Sequence, residues 1–396
     1  VEGMIFRKGS RNIKDGKKLV NYLITDNSDS ACVKVFVSGK KWEQMDALLN
    51  EGDFIKVRGT VSYDSFEGAD VIKARDIEKI DAALCEDKAE DRRVELHAHT
   101  KMSAMDGLAD VQELIDTAAN FGHKAIAITD HGVVQAFPDA AKYIKEKKLD
   151  IKIIYGLEGY LVDDEQIPEG GIPVEKGLDS KTAQSYHIIL LAKDKEGLKN
   201  LYKLVSHSHL DYFYRKPRIP KSLLRTMRAG LIIGSACEAG EVFQGILKGY
   251  TEKQFKKMLD LYDYLEIQPL QNNRFLIDEG RATGEDELKE FNRRIVDLGE
   301  RYGKPVAATC DVHYMKDSDA LFRRILMAGQ GYKDAEKGEG LYFRTTEEML
   351  KEFSYLGEEV ASRVVIEDPN RIAASIEKMA PVPDESLRPE ILNADE

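Results

Sequence analysis

The 396-residue sequence contains no apolar run near the ~18 residues that a membrane-spanning helix needs, so no span and no membrane partner are expected. Its first residues, Val1-Glu2-Gly3-Met4-Ile5-Phe6, lack the charged-then-apolar order of a secretion signal. They also lack an initiator methionine, so a piece of a longer chain is expected. Cysteine is scarce. Cys32, Cys85, Cys237 and Cys310 stand far apart with no CxxC pair, which argues for reduced cytoplasmic thiols and against a disulfide framework or zinc ribbon. There is no GxSxG, no P-loop, no HExxH and no convincing protein nucleophile. Net positive charge is missing too: the balance of −12 speaks on its face against nucleic acid. Its distribution weakens that objection, because residues 1–80 hold 14 Lys/Arg against 13 Asp/Glu and the remainder 44 against 57. Acidic residues gathered around cations would account for part of the excess, so net charge leaves the partner open.

What is present reads as a multidomain chain, with 42% hydrophobic and 32% charged residues, as in ordinary globular proteins. Residues 1–82 carry five strand-like runs (Gly3–Phe6, Lys18–Ile24, Ala31–Val37, Phe54–Val61, Val71–Ile77) with a helical stretch, Lys40–Leu49, between the third and fourth. That order is the order of an all-β OB barrel. A polar linker, 83–92, follows. From residue 93 to 344 strands and helices alternate. Seven apolar strands (Val94–His97, Ala125–Thr129, Ile151–Tyr155, His187–Ala192, Leu231–Gly234, Tyr264–Gln268, Val306–Thr309) suggest a parallel α/β barrel one strand short of the TIM type. Residues 345–396 read as a helical or linking appendage.

His97-Ala98-His99 and Asp311-Val312-His313 carry the most chemistry. On a strand, i, i+2 spacing puts both side chains of a pair on one face. Further candidate ligands fall at or near predicted strand ends, where barrel enzymes work: Asp106, His131, Glu158, His187 and Cys237. Nine nitrogen, oxygen and sulfur donors exceed the needs of one zinc ion. They suit two or three divalent ions, Zn²⁺, Mn²⁺ or Fe²⁺, sharing a carboxylate and activating a bridging water for phosphoester hydrolysis. No catalytic residue separate from these ligands is expected.

The motifs His97-Ala98-His99-Thr100, Ile128-Thr129-Asp130-His131, Gly156-Leu157-Glu158 and Cys310-Asp311-Val312-His313 resemble the polymerase-and-histidinol-phosphatase (PHP) family. The preceding OB module, with Ser103–Gly107, Phe213–Pro220 and Gly234–Glu241, resembles the N-terminal part of PolC-type bacterial DNA polymerase III. The resemblance implies a distorted (β/α)7 barrel holding three metals. The first would lie between His97, His99, Glu158 and Asp311, the second between Glu158, His187 and Cys237, and the third between Asp106, His131 and His313. It implies a fragment of a cytoplasmic bacterial replicative polymerase, a nucleotidyltransferase with 3′→5′ exonuclease, whose partners are DNA (single-stranded or primer-template), other polymerase domains and the replisome. The PHP module would be a metal-dependent phosphoesterase, exonuclease-like in direction. Two departures are evident. The interval 159–186, where PolC-type enzymes carry an inserted exonuclease, is short and has no Asp-x-Glu-Thr signature, and nothing here resembles a polymerase palm. A metal-stabilised scaffold without catalysis and a free-standing PHP phosphatase are the competing readings.

Basic residues interleaved with aromatics can hold phosphates and stack bases. Candidates for DNA contact are Arg7, Lys14, Lys18 and Tyr63 in the first module, from a wider set that also holds Lys8, Arg11, Lys17, Tyr22, Phe36 and Phe66, and Arg215, Lys216 and Arg218 in the second. His123, His207, His209 and Cys310 are assigned structural or surface roles.

Overall fold

A computed structural model describes residues 1–13, 17–26, 29–38, 47–80, 86–164, 184–331 and 339–382. The chain forms two compact units, Val1–Cys85 and Glu86–Glu396.

The first unit is a closed barrel in the order β1-β2-β3-β5-β4, from β1 (Glu2–Asn12), β2 (Lys17–Thr25), β3 (Ser30–Ser38), β4 (Phe54–Asp64) and β5 (Ala69–Ile80). Strand alternation sends Val20, Tyr22 and Ile24 of β2 and Ile55 and Val57 of β4 inward. Tyr22 is therefore core and leaves the list of candidate stacking residues, whereas Phe36, Tyr63 and Phe66 stay exposed. The strands run longer than their apolar runs because outward positions tolerate polar residues. Most of the predicted helix Lys40–Leu49 lies outside the described residues, as does Lys14.

The second unit is a distorted barrel. The segment around Glu95–Ala98 bridges β6 (Ala125–Ile128), which pairs in parallel with β7 (Lys152–Val162). Next come β8 (Ser185–Ala192), β11 (Leu231–Gly234), β12 (Leu265–Ile267) and β13 (Val306–Ala308). A bridge between Ala98 and Val312 closes the ring. A short hairpin, β9 (Phe213–Tyr214) and β10 (Lys216–Pro220), adds to the edge of β7 beyond β6. The expectation of an all-parallel barrel needs one correction. β8 runs antiparallel to both β7 and β11. Its first residues, not its last, therefore lie at the end where the other strands finish, which is why His187 can begin its strand and still face the site.

β7 continues well past its predicted end at Tyr155. Gly156 and Gly159 do not break it. A Cβ on Gly156 would lie 2.7 Å from Leu191 Cδ2, and one on Gly159 2.9 Å from Ile219 Cδ1, so both glycines serve close strand packing. Alternate strand residues (Leu96, Ala125, Ala127, Ile154, Ile189, Leu191, Ala307) form one apolar cluster, and their neighbours (Ile126, Ile128, Ile188, Leu190) pack into the larger cluster that includes the helices. The tail is structural over its described part. Ile372, Ala373 and Ile376 join the first cluster, Phe353, Val364 and Val365 the second, and Lys152 Nζ donates to Ile376 O at 2.7 Å at the end of the barrel remote from His187.

Candidate metal centre

Five of the eight histidines converge at one end of this barrel. The backbone brings the two sequence pairs together. Ala98 and Val312, their middle residues, form a parallel bridge in which His99 N donates to Val312 O at 2.7 Å and Val312 N to His97 O at 3.0 Å. The flanking side chains then meet: His97 Nε2 lies 3.1 Å from His99 Nε2 and 3.2 Å from Asp311 Oδ1, which is 3.4 Å from His99 Nε2. One expectation fails in detail. Asp311-Val312-His313 is not a continuous strand, because β13 ends at Ala308 and Asp311 adopts φ 54°, a left-handed conformation. Such backbone costs a non-glycine residue on the order of 1–3 kcal/mol and concentrates at functional sites.

Glu158, in mid-β7 and 1% exposed, is the hub. Its Oε1 lies 2.8 Å from His187 Nδ1, 3.5 Å from His97 Nε2 and 3.6 Å from Cys237 Sγ. Its Oε2 lies 2.6 Å from His131 Nδ1 and 3.5 Å from His99 Nε2. Beside it, Asp106 Oδ2 is 3.1 Å from His131 Nε2 and 3.6 Å from His313 Nε2. All nine candidate ligands thus stand in one continuous cluster.

Electrostatics show how much cationic charge this pocket asks for. Burial would lower the His97 pKa, but the carboxylates of Asp311, Glu266 and Glu158 outweigh it and hold the value well above normal. Burial opposes a proton on His131 too, yet Glu158 and Asp106 push it up to about 10. His99, surrounded by the His313 and His131 rings as well as buried, is held well below. Burial would raise Glu158, but His187, His131 and His97 hold its carboxyl well below the usual range. Burial, with Glu238, Glu158 and Asp311 nearby, holds the Cys237 thiol well above its ordinary value, so a cation there must displace a proton. Glu158 Oε2, Asp311 Oδ1 and His131 Nδ1 are buried without a hydrogen bond of good geometry. Buried lone pairs in this state are costly in a protein and ideal around a divalent ion. The donor set fits the metals expected.

Sequence reasoning missed the residues that aim these ligands. Glu266 Oε1 lies 2.7 Å from His97 Nδ1 and also accepts from Thr309 Oγ1 at 2.7 Å and Gln268 Nε2 at 2.9 Å. Ser103 Oγ lies 2.9 Å from His99 Nδ1 and donates to Asp130 at 2.8 Å. Both histidines consequently present Nε2 to the centre, as metal-binding imidazoles do when their other nitrogen is engaged. Arg323 donates through Nε and Nη2 to Asp106 Oδ1 and leaves Oδ2 for the histidines. A signal for Glu266 existed: it is the charged residue inside the apolar run Tyr264-Leu265-Glu266-Ile267. Nothing local marked Arg323.

The other candidates separate clearly. Arg215 and Lys216 are exposed beside the centre, while Arg218 is buried. Arg7 and Tyr63 are exposed and Lys18 half-buried on the first barrel. His207 pairs with Asp211, His209 Nε2 lies 2.9 Å from Gly132 O, and His123 and Cys310 are buried away from the ligands.

Family models match the two units in turn, an OB-fold nucleic acid binding domain over residues 1–80 and a PHP domain over 95–273. PolC-type DNA polymerase III of Clostridium perfringens is 35% identical over an alignment covering 100% of this chain and 40% of its own. The chain matches PolC-type DNA polymerase III along its whole length. Relatives from Caldanaerobacter subterraneus, at 34%, and Bacillus subtilis, at 29%, likewise align with the whole chain and with 41% of their own length. The chain therefore spans about 40% of its PolC-type relatives. The first alignment runs over 581 positions, 185 more than this chain has residues, so the relative carries residues within the aligned span that this chain lacks. A solved amidohydrolase from Chromobacterium violaceum overlaps 56% of this chain and 87% of its own at 14% identity, with a TM-score of 0.31, too distant to carry weight.

Proposed function

We propose that this chain serves DNA replication as the OB-and-PHP portion of a PolC-type polymerase, and that its PHP module hydrolyses phosphoester bonds in DNA, 3′→5′. The polymerase chemistry would belong to parts of the parent outside this chain, in the bacterial cytoplasm. The observation that carries the reading is the single cluster of nine donor residues, Glu158 and the eight gathered about it. His97, His99, Glu158 and Asp311 would hold one ion, Glu158, His187 and Cys237 a second, and Asp106, His131 and His313 a third. Zn²⁺, Mn²⁺ or Fe²⁺ bound there would activate a water and stabilise the charge developing on the phosphoryl oxygens.

The protein's own contributions follow from its geometry. Glu158 reaches members of all three groups through its two oxygens, Oε1 towards His97, His187 and Cys237 and Oε2 towards His99 and His131. Glu266 and Ser103 hold the deep imidazoles by their outer nitrogens. The side chains of His97 and His99 are closed to solvent, whereas those of His131 and His187 are 14% and 18% exposed and mark the side from which substrate approaches.

The test is nucleotide release from an end-labelled single-stranded DNA by metal-loaded protein. Asp311→Asn is the control, because asparagine tolerates the left-handed backbone. Release that requires Mn²⁺ or Zn²⁺ and is lost in the variant supports the proposal. No release from protein whose melting temperature the metal raises would leave the cluster as a structural staple.

A further inference from the structure

Beside the metal centre the edge of β7 carries three things in sequence: β6, then His131 bridged to Glu158, then β10, whose Arg218 pairs with Tyr160. The hairpin β9–β10 is thus stacked directly beyond a candidate ligand. It is also pinned there. Gly132 has φ +66° and a Cβ on it would lie 2.4 Å from Pro217 Cγ, while His209 reaches from its helix to Gly132 O.

From this hairpin Lys216 extends its ammonium over the ring of Tyr160, 4.5 Å from the centroid. The Tyr160 ring lies 6.0 Å from that of His131 and 5.3 Å from that of His187. The charge of Lys216, an exposed residue, therefore stands within about 10 Å of both imidazoles. Arg215, exposed and at φ 61°, and Phe213, 56% exposed and stacked on His209, flank it. These cations stand out in a module that is acidic overall, so their placement is a local feature and not a reflection of net charge.

We infer that Lys216, with Arg215 and Phe213, forms a strand-binding lip that holds the phosphate and base neighbouring the scissile phosphate. The substrate is then a single-stranded polynucleotide, not a small phosphomonoester. A small phosphomonoester brings only the phosphate that the ligand cluster would hold, whereas a strand brings a next phosphate for the neighbouring cation. Phe213 offers a face on which a base can stack in any sequence. Tyr160 gives the ammonium a fixed seat through a cation–π contact and leaves its donors free for the phosphate. The inference rests on the phosphoesterase reading above and narrows its substrate.

The experiment compares metal-loaded wild type, Lys216→Ala, Lys216→Arg and the double variant Lys216→Ala/Arg215→Ala on two substrates. One is an end-labelled single-stranded oligonucleotide and the other bis(p-nitrophenyl) phosphate, which has no second phosphate. The expected result is that Lys216→Ala lowers the ratio of oligonucleotide to small-diester kcat/KM by about tenfold, as loss of one charge-assisted phosphate contact implies. Its KM for the oligonucleotide should lose about 0.7 from the log–log salt slope, and the double variant about twice that, as expected for one and two fewer neutralised phosphates on a single strand. Lys216→Arg should restore most of the ratio. Turnover of both substrates with an unchanged ratio and salt slope overturns this inference alone. Turnover of neither by metal-loaded wild type sinks the phosphoesterase reading and the inference with it.

Discussion

Replacing Glu266 by glutamine isolates what its charge does for the metal centre. In the native protein Glu266 Oε1 accepts from Thr309 and Gln268 and sits 2.7 Å from His97 Nδ1. A glutamine carbonyl can occupy that position and keep all three contacts, so the tautomer and aim of His97 survive while the negative charge disappears. Outer partners of metal-binding histidines are worth about 10–100-fold in affinity, or roughly 1.4–2.7 kcal/mol. Glu266→Gln should fall near the lower figure and Glu266→Ala, which also frees the ring, near the upper. The effect depends on pH, because Glu266 is one of the carboxylates that hold the His97 pKa high. Removing it weakens the competing proton as well as the metal. The loss in affinity should therefore be largest in alkaline buffer and shrink as pH falls. Competition titration of Zn²⁺ against a chelating dye, repeated across pH, measures both quantities. Wild-type affinity in Glu266→Gln at every pH would show that the carboxylate is not acting on a metal ligand.

Other perturbations follow from the same geometry. In metal-free protein His131 titrates at about 10, above its unfolded value near 6.5. The stability from its proton is complete below pH 6.5 and is lost as pH rises through about 10. Chelator-treated protein should melt at falling temperatures over that window, and calorimetry in buffers of different ionisation enthalpy should record proton release when metal binds; a flat profile with no release would contradict the assignment. Arg323→Met frees Asp106 to rotate and should remove about one ion per chain, countable by native mass spectrometry, with unchanged stoichiometry refuting its positioning role. On the first barrel, Tyr63→Ala and Phe66→Ala should each weaken single-stranded DNA binding by about 1–3 kcal/mol if these exposed rings stack bases. Fluorescence anisotropy decides, and an unchanged Kd would take the strand's path elsewhere.

The candidate ligands could be named from the sequence because spacing, residue type and position near strand ends are local properties. His97, His99, Glu158 and Asp311 needed no structure to be named. What held them in place was not local. Glu266 is 169 residues from His97, and Arg323 is 217 from Asp106. The length of β7 was not local either: the apolar run Ile151–Tyr155 marks only its first part, and the strand continues through Gly156 and Gly159 because both pack closely against neighbouring strands. Direction was invisible as well: the apolar run Ile188–Ala192 reads the same whichever way its strand points. The aromatic residues of the first barrel divided only when the register placed Tyr22 inside and Tyr63 outside.

The reversal of β8 has a topological consequence. In a parallel barrel the chain leaving one strand must travel the length of the barrel before the next can begin, and an insertion there has to be accommodated by a crossover. Here Val162 and Ser185 are paired neighbours, so the chain leaves and re-enters at one point on the rim. Anything whose own termini lie close together can be housed between them without disturbing a single barrel hydrogen bond. Even an open loop grows costlier by only about 0.6 kcal/mol per doubling of its length. The barrel is built like a socket, and a whole catalytic domain can be gained or lost at that port while the metal centre a few residues away keeps its geometry.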